Sequence, residues 1–295
     1  MKPIKLKPNK FFLPSFGLGF IIFVSFTWLI LEFTTPRIPL LGFHGIIGVN
    51  SQVSKPDPLQ MDYPQQELEK FIEYLVNHNY WFLSTQDLYD YFITKSKIIP
   101  SEHLNQKPIL ISFDDGYKTV HAHLMPFLSR LEQKYGKKVK VVLFINPGTL
   151  AKAGSRASIH LGCQDLREGF TKGFYDIQSH GLTHKNLTQI SNQELMNELR
   201  EAQTQLRKCT EGLDPEQKVA SHLAYPFGAY NKQTERYASN YYLSSYLYNS
   251  RILKICRLKN YHEIPRLTVN RHKSVNRLIK MAERSHPIKK TKEKC

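Results

Sequence analysis

Between residues 36 and 270 short apolar runs alternate with stretches of helical spacing. Leu40-Leu41-Gly42-Phe43-His44 reads as a first strand ending on a histidine. Over 65–79, Leu68, Phe71, Ile72 and Leu75 recur at helical intervals, which predicts an amphipathic helix. A short strand follows at 80–83, and Ser84 with Asp87 forms a capping box that opens another helix. Residues 108–113 are continuously apolar, the pattern of a strand buried on both faces. Further strands are predicted at 138–145, 174–178, 219–225, 242–248 and 263–269. Helices are predicted at 121–133, from the Ser191/Glu194 cap to about Cys209, and at 231–239. Such alternation predicts an α/β fold with a largely parallel sheet. No internal repeat of fixed period is present.

The amino terminus breaks this pattern. Residues 11–31 are 21 positions without a charge. As a helix they would extend about 31 Å, enough to cross a hydrocarbon core of roughly 30 Å. Lys2, Lys5, Lys7 and Lys10 precede the run, and no small-x-small cleavage pattern follows it. The expectation is an uncleaved single-pass signal-anchor over 11–33, with a cytoplasmic basic segment at 1–10. Residues 34–39 would form a linker, and the body would be exported.

Charge changes the picture less than its total suggests. The chain of 295 residues carries 41 Lys+Arg against 25 Asp+Glu, a formal +16. Residues 1–10 hold +4 of this and residues 271–295 hold +7, which leaves a mildly basic body. An excess gathered at the two ends does not describe a nucleic-acid reader, whose charge sits on a folded recognition element. The expectation is no nucleic-acid partner and a solvated basic tail at 271–295. Cys163, Cys209, Cys256 and Cys295 show no C-x-x-C pairing. One disulfide is compatible with export, its pairing open, and at least two cysteines read as small buried apolar residues.

Candidate chemistry collects where the predicted strands end. Asp114-Asp115 closes one strand, His180-Gly-Leu-Thr-His184 follows another, and Tyr225-Pro226-Phe227-Gly228 ends a third. In alternating strand–helix barrels that rim is where sites form. Two adjacent carboxylates are costly to bury unless a cation neutralises them. Two histidines four residues apart, with one carboxylate, make a three-ligand metal site with open positions. There is no phosphate-binding glycine loop and no G-x-S-x-G elbow, so nucleotide and covalent serine chemistry lose ground. His121, His123 and His160 read as helix or loop residues. His222 and His262 lie near site strands.

The segments Ile111-Ser-Phe-Asp-Asp-Gly116, Ser179-His-Gly-Leu-Thr-His184 and Tyr225-Pro-Phe-Gly228 resemble, in order and spacing, the first three motifs of the polysaccharide deacetylases. The resemblance covers roughly residues 40–270 and implies a distorted (β/α) barrel of that type. It implies that Asp115, His180 and His184 hold a divalent metal, usually zinc. It makes Asp114 the general base and the main-chain N–H of Tyr225 an oxyanion donor. Phe43-His44 is similar to the early Tyr-His of the branch acting on poly-β-1,6-N-acetylglucosamine, where the element order is permuted, which makes His44 the candidate acid. The implied reaction removes N-acetyl groups from an extracellular N-acetylglucosamine polymer. A polysaccharide synthase or export machinery is the implied neighbour.

Departures from the family pattern limit that expectation. No arginine precedes Pro226; Arg266, in Ile264-Pro-Arg-Leu-Thr-Val269, is the substitute expected to orient Asp114. An Asp-x-x-Asp-Trp motif is absent, which puts chitin and peptidoglycan specificity in doubt. The Tyr-rich stretch 240–250 reads as a strand packing its aromatics, with sugar stacking as the alternative. Two other functions stay open at this level: a membrane-anchored polysaccharide-binding protein with an inactive site, and a deacetylase of peptidoglycan or xylan.

Overall fold

The computed structural model describes residues 36–49, 61–152 and 158–289. The main sheet contains β1 (Leu40–Phe43), β2 (Tyr80–Phe82), β3 (Lys107–Phe113), β4 (Val141–Ile145), β5 (Tyr175–Ser179), β6 (His222–Ala224), β7 (Ser244–Tyr246) and β8 (Leu267–Thr268). The helices between and after them include α1 (Gln65–Asn77), α2 (Lys118–Tyr135), α3 (Cys163–Thr171), α4 (Asn192–Cys209), α5 (Lys232–Ala238) and α6 (Val275–Ala282).

The strands run in the order β7-β6-β5-β4-β3-β1-β8, and β2 pairs with the first half of β3. Every one of these pairings is parallel. One segment touches both ends of the row: Ile264 bridges to Tyr246, while Leu267 and Thr268 pair with Leu41 and Gly42. The result is a parallel half-barrel of the α/β class, drawn into a distorted barrel by residues 264–268.

The strands form where the chain is apolar on both faces. All five residues of β4 are buried, as are the last six of β3, as expected for parallel strands with helices outside and side chains packed inside. The stripe Leu68, Phe71, Ile72, Leu75 and Val76 turns α1 onto the same core. Helix α2 stops at Gly136, whose φ of +62° places it in the left-handed cap position. The capping box at Ser84 is present, with Asp87 N–H donating to Ser84 Oγ at 3.0 Å and Ser84 N–H to Asp87 Oδ2 at 2.9 Å. The turn it opens continues as a π-helical stretch, Leu88–Ile93. Buried Asp176, at the amino end of β5, accepts from Thr85 N–H and Oγ1 at 2.6 and 2.7 Å. This turn therefore sits at the amino end of β5, away from the strand carboxyl ends.

Two expectations change, and one open pairing is filled. The stretch taken as a linker contains Arg37–Ile38, which pairs antiparallel with Leu253–Lys254, and Ile38 is buried. The segment taken as a solvated tail contains α6, on which Leu278, Met281 and Ala282 are buried in the main core. Beyond α6, Ile288 exchanges hydrogen bonds with Asn105 and Gln106. The high local charge hid an apolar stripe at Val275, Leu278, Ile279 and Ala282, opened by a Ser274 cap. The disulfide whose pairing the sequence left open joins Cys163 to Cys209, and so α3 to α4. No described helix is long and apolar enough to cross a membrane, and the uncharged run at 11–31 lies outside the described residues.

Because Leu278 is fully buried between α6 and the core, Leu278→Ala should lower unfolding stability by about 2–5 kcal/mol, read as a shift in the urea midpoint.

Candidate active site

The carboxyl ends of β1, β3, β5 and β6 converge on a cavity of about 360 Å³. His44, Asp114, Asp115, His180, His184 and Tyr225 all line it. The parallel register sets this meeting: His44, Asp114 and His180 each directly follow a paired strand.

Asp114 and Asp115 are neighbours in sequence but meet different surroundings. Asp114 is held in a bidentate pair, with Arg266 Nη1 donating to Oδ1 at 2.7 Å and Nη2 to Oδ2 at 2.8 Å. Both side chains are buried. Arg266 also donates to Leu247 O and Ser112 Oγ, each at 3.0 Å. Burial pushes the Asp114 carboxyl up, but Arg266 and then His180 outweigh it and hold the group below the usual carboxylate range.

Asp115 turns the other way because its backbone is left-handed, with φ of +68°. Its Oδ1 faces His180 Nε2 at 3.4 Å and His184 Nε2 at 3.2 Å. This buried oxygen has no hydrogen-bond partner of acceptable geometry. His180 Nδ1 lies 2.8 Å from Ala224 O. A carbonyl oxygen can only accept, so Nδ1 carries the hydrogen and neutral His180 presents a bare Nε2 lone pair to the carboxylate. Lone pairs of one histidine and one carboxylate thus converge without a donor, a donor set that calls for a cation. Burial alone would lower the His180 pKa, yet Asp115 and Asp114 raise it. The candidate ligand atoms of Asp115, His180 and His184 lie within 4.8 Å of one another. Three N/O ligands with open positions fit a catalytic zinc site.

A shell of polar groups fixes the two-histidine turn. Buried Glu198, on α4, accepts from Leu182 N–H and Thr183 N–H at 2.9 Å each and from the Thr183 hydroxyl. Asn146, after β4, donates to the carbonyls of His180 and Gly181. Neither residue is signalled by sequence spacing. A buried acid on the apolar face of a predicted helix, four residues beyond the Glu194 of its cap, was the available hint for Glu198.

The N–H expected to serve as oxyanion donor, that of Tyr225, meets a competing acceptor. Tyr225 N–H donates to Tyr246 O at 3.1 Å, so the sheet ladder already uses it. Its ring is buried rather than presented to solvent. Two residues on, Phe227 has φ of +61° and an N–H that meets no acceptor among the described residues. Its ring packs on His184 at 4.5 Å between centroids and is 62% exposed. His44 lines the cavity with Nδ1 buried and unpartnered. Burial lowers the His44 pKa, with Asp114 and Asp115 opposing the shift. His160 borders this end through a bridge to Tyr117. His222 does not belong here: it starts β6 at the far end, bonded to Ser244 Oγ at 2.8 Å, and burial lowers its pKa to about 3.

Replacing Arg266 by Met should leave Asp114 as a buried charge without a partner. The expected loss is about 3–5 kcal/mol of unfolding stability by urea denaturation.

Residues 101–245 match the family model for polysaccharide deacetylases. YxkH of Bacillus subtilis (strain 168), assigned to the polysaccharide deacetylases, is 26% identical over 198 residues, which is 67% of this chain and 59% of that protein. The chain therefore spans less than two thirds of the length of this curated relative. Among solved structures, a polysaccharide deacetylase from Bacillus cereus superposes with a TM-score of 0.67 at 18% identity, over 84% of this chain and 69% of the other. The deacetylase PplD of Streptococcus pyogenes gives 0.68 at 18% identity, over 84% and 99%. IcaB from Ammonifex degensii gives 0.62 at 16% identity, over 84% and 97%. At these identities the superpositions establish the shared fold. The family match covers the strands from β3 to β7 with both aspartates and both histidines, while His44 and Arg266 lie outside it. On that match, residues 101–245 carry a polysaccharide deacetylase domain, on the fold that the superpositions share.

Proposed function

We propose that this chain is a metal-dependent hydrolase that removes N-acetyl groups from an extracellular polysaccharide, an N-acetylglucosamine polymer, and releases acetate. The observation that carries the reading is the contrast between the two aspartates: one locked by Arg266, the other facing two imidazoles with an unsatisfied oxygen. Asp115, His180 and His184 would hold the divalent ion, zinc by its donor set, which when bound supplies Lewis acidity toward an acetyl carbonyl and a water.

The remaining roles fall to groups of this chain. Asp114, kept ionised by Arg266, takes the proton of the attacking water. The N–H of Phe227 offers a donor to the oxyanion that develops on the acetyl oxygen. His44 gives a proton to the sugar nitrogen, because an amine leaves poorly as an anion. The C–N bond breaks, and acetate and a free glucosamine unit are the products. Membrane attachment through residues 11–33, with the body outside the cytoplasm, belongs to the same proposal. It rests on the uncharged run and its four preceding lysines. Adjacency to a polysaccharide synthase is supported by the substrate alone.

Two outcomes test this. The full chain in detergent should release acetate from poly-N-acetylglucosamine and stop when a chelator removes the ion. No release from any acetylated glycan would favour a binding protein. Asp114→Asn should lower kcat by about 10²–10⁴-fold while zinc content, measured by elemental analysis, stays stoichiometric. Full activity in that variant would remove Asp114 as the base.

A further inference from the structure

No hydrogen bond among the described residues orients the His44 ring. His180 is fixed through Ala224 O, and Asp114 through Arg266. By contrast, His44 Nδ1 is buried without a partner. Its orientation must therefore come from packing, and the aromatic partner of its ring is Tyr248, edge to face at 5.4 Å between centroids and 75° between planes. Tyr248 is itself anchored. Its hydroxyl oxygen lies 3.1 Å from Gly42 O and 3.2 Å from Val269 O, and accepts from Val269 N–H at 3.3 Å. The phenol thus ties the end of β1, two residues before His44, to the chain just beyond β8. The opening for its ring exists because residue 42 is glycine: a Cβ there would stand 2.7 Å from Tyr248 Cε2.

We propose that Tyr248 is the positioning residue for His44, holding the imidazole against the cavity so that its proton reaches the departing sugar nitrogen. The inference rests on the functional reading above. Tyr248 also covers one face of Arg266 at 5.4 Å. Arg266, however, keeps its four hydrogen bonds and the Phe144 ring at 4.9 Å without it. Loss of the phenol therefore acts on the acid more than on the base.

That difference gives a readout that a general structural defect would not produce. An amide needs a protonated leaving group, whereas an activated aryl acetate expels a stable phenolate and does not. Tyr248→Leu in the full-length, zinc-loaded chain should lower kcat for N-acetylglucosamine oligomers by about 10²-fold. KM and aryl acetate hydrolysis should each stay within about threefold of wild type, as expected when a transition-state interaction alone is lost. Tyr248→Phe keeps the ring and should recover most of the amide rate. Gly42→Ala, which leaves Tyr248 in place but crowds it, should reproduce the amide-selective loss. Parallel loss on both substrates, or an unchanged amide rate in Tyr248→Leu, overturns the inference while the functional reading stands. A wild-type protein that hydrolyses no acetylated sugar overturns the functional reading, and this inference with it.

Discussion

The buried pair between Arg266 and Asp114 is the interaction on which the barrel and its site both depend. Its two partners are 152 positions apart in sequence, and one stands just before the two-residue strand β8. So short a strand contributes little register of its own. A guanidinium that must find its carboxylate, with Phe144 and Tyr248 on its faces, supplies the missing specificity. Desolvating an arginine is costly unless its donors are used, and here four hydrogen bonds use them. The same contact draws the last strand to the first and keeps Asp114 ionised. Closing the barrel and holding Asp114 ionised are one event.

That arrangement also explains why two adjacent carboxylates can occupy one strand end. Extended backbone sends Asp114 into the barrel, where Arg266 neutralises it. The left-handed turn at Asp115 sends the next side chain across the mouth toward β5. The two carboxylates are therefore divided between a built-in cation, Arg266, and a pair of imidazoles, His180 and His184. Were both carboxylates turned inward, one would lack a counter-charge and would take up a proton, as paired carboxylates do.

Much of this was legible in the chain because its signals are local. The buried runs of β3 and β4 and the caps at Ser84 and Ser191 are read within a few residues. So are the polar pairs closing β3 and β5. What escaped was set by register and by distant packing. Whether an N–H at a strand end is free depends on the neighbouring strand, so the engaged N–H of Tyr225 could not be told in sequence from the open one of Phe227. Glu198 looks like any helix acid until α4 is laid beside the His180 turn. Helix α6 was obscured because its basic positions outnumber its acidic ones, although Val275, Leu278, Ile279 and Ala282 already follow a helical stripe. Arg266 was reachable only through the absence of an arginine before Pro226, which made a substitute necessary.

The rim of the cavity departs from ordinary backbone geometry, and its neighbours explain how. Asp115 with Gly116, and Phe227 with Gly228, are consecutive left-handed pairs, and His184 is left-handed as well. For non-glycine residues each such position costs on the order of 1–3 kcal/mol and persists only where the surroundings over-determine it. Around His184 the over-determination is visible: Glu198 takes three donors of the turn, and Asn146 holds the two carbonyls before it. Around Phe227 it comes from the short turn in which Gly228 N–H donates to Tyr225 O at 2.9 Å. The three non-glycine residues among them, Asp115, His184 and Phe227, all line the shared cavity. The strain is therefore local to the groups that face the cavity, while β3, β4 and β5 behind them stay regular and buried. A regular sheet with an irregular rim lets the barrel keep its core and still aim three side chains at one point.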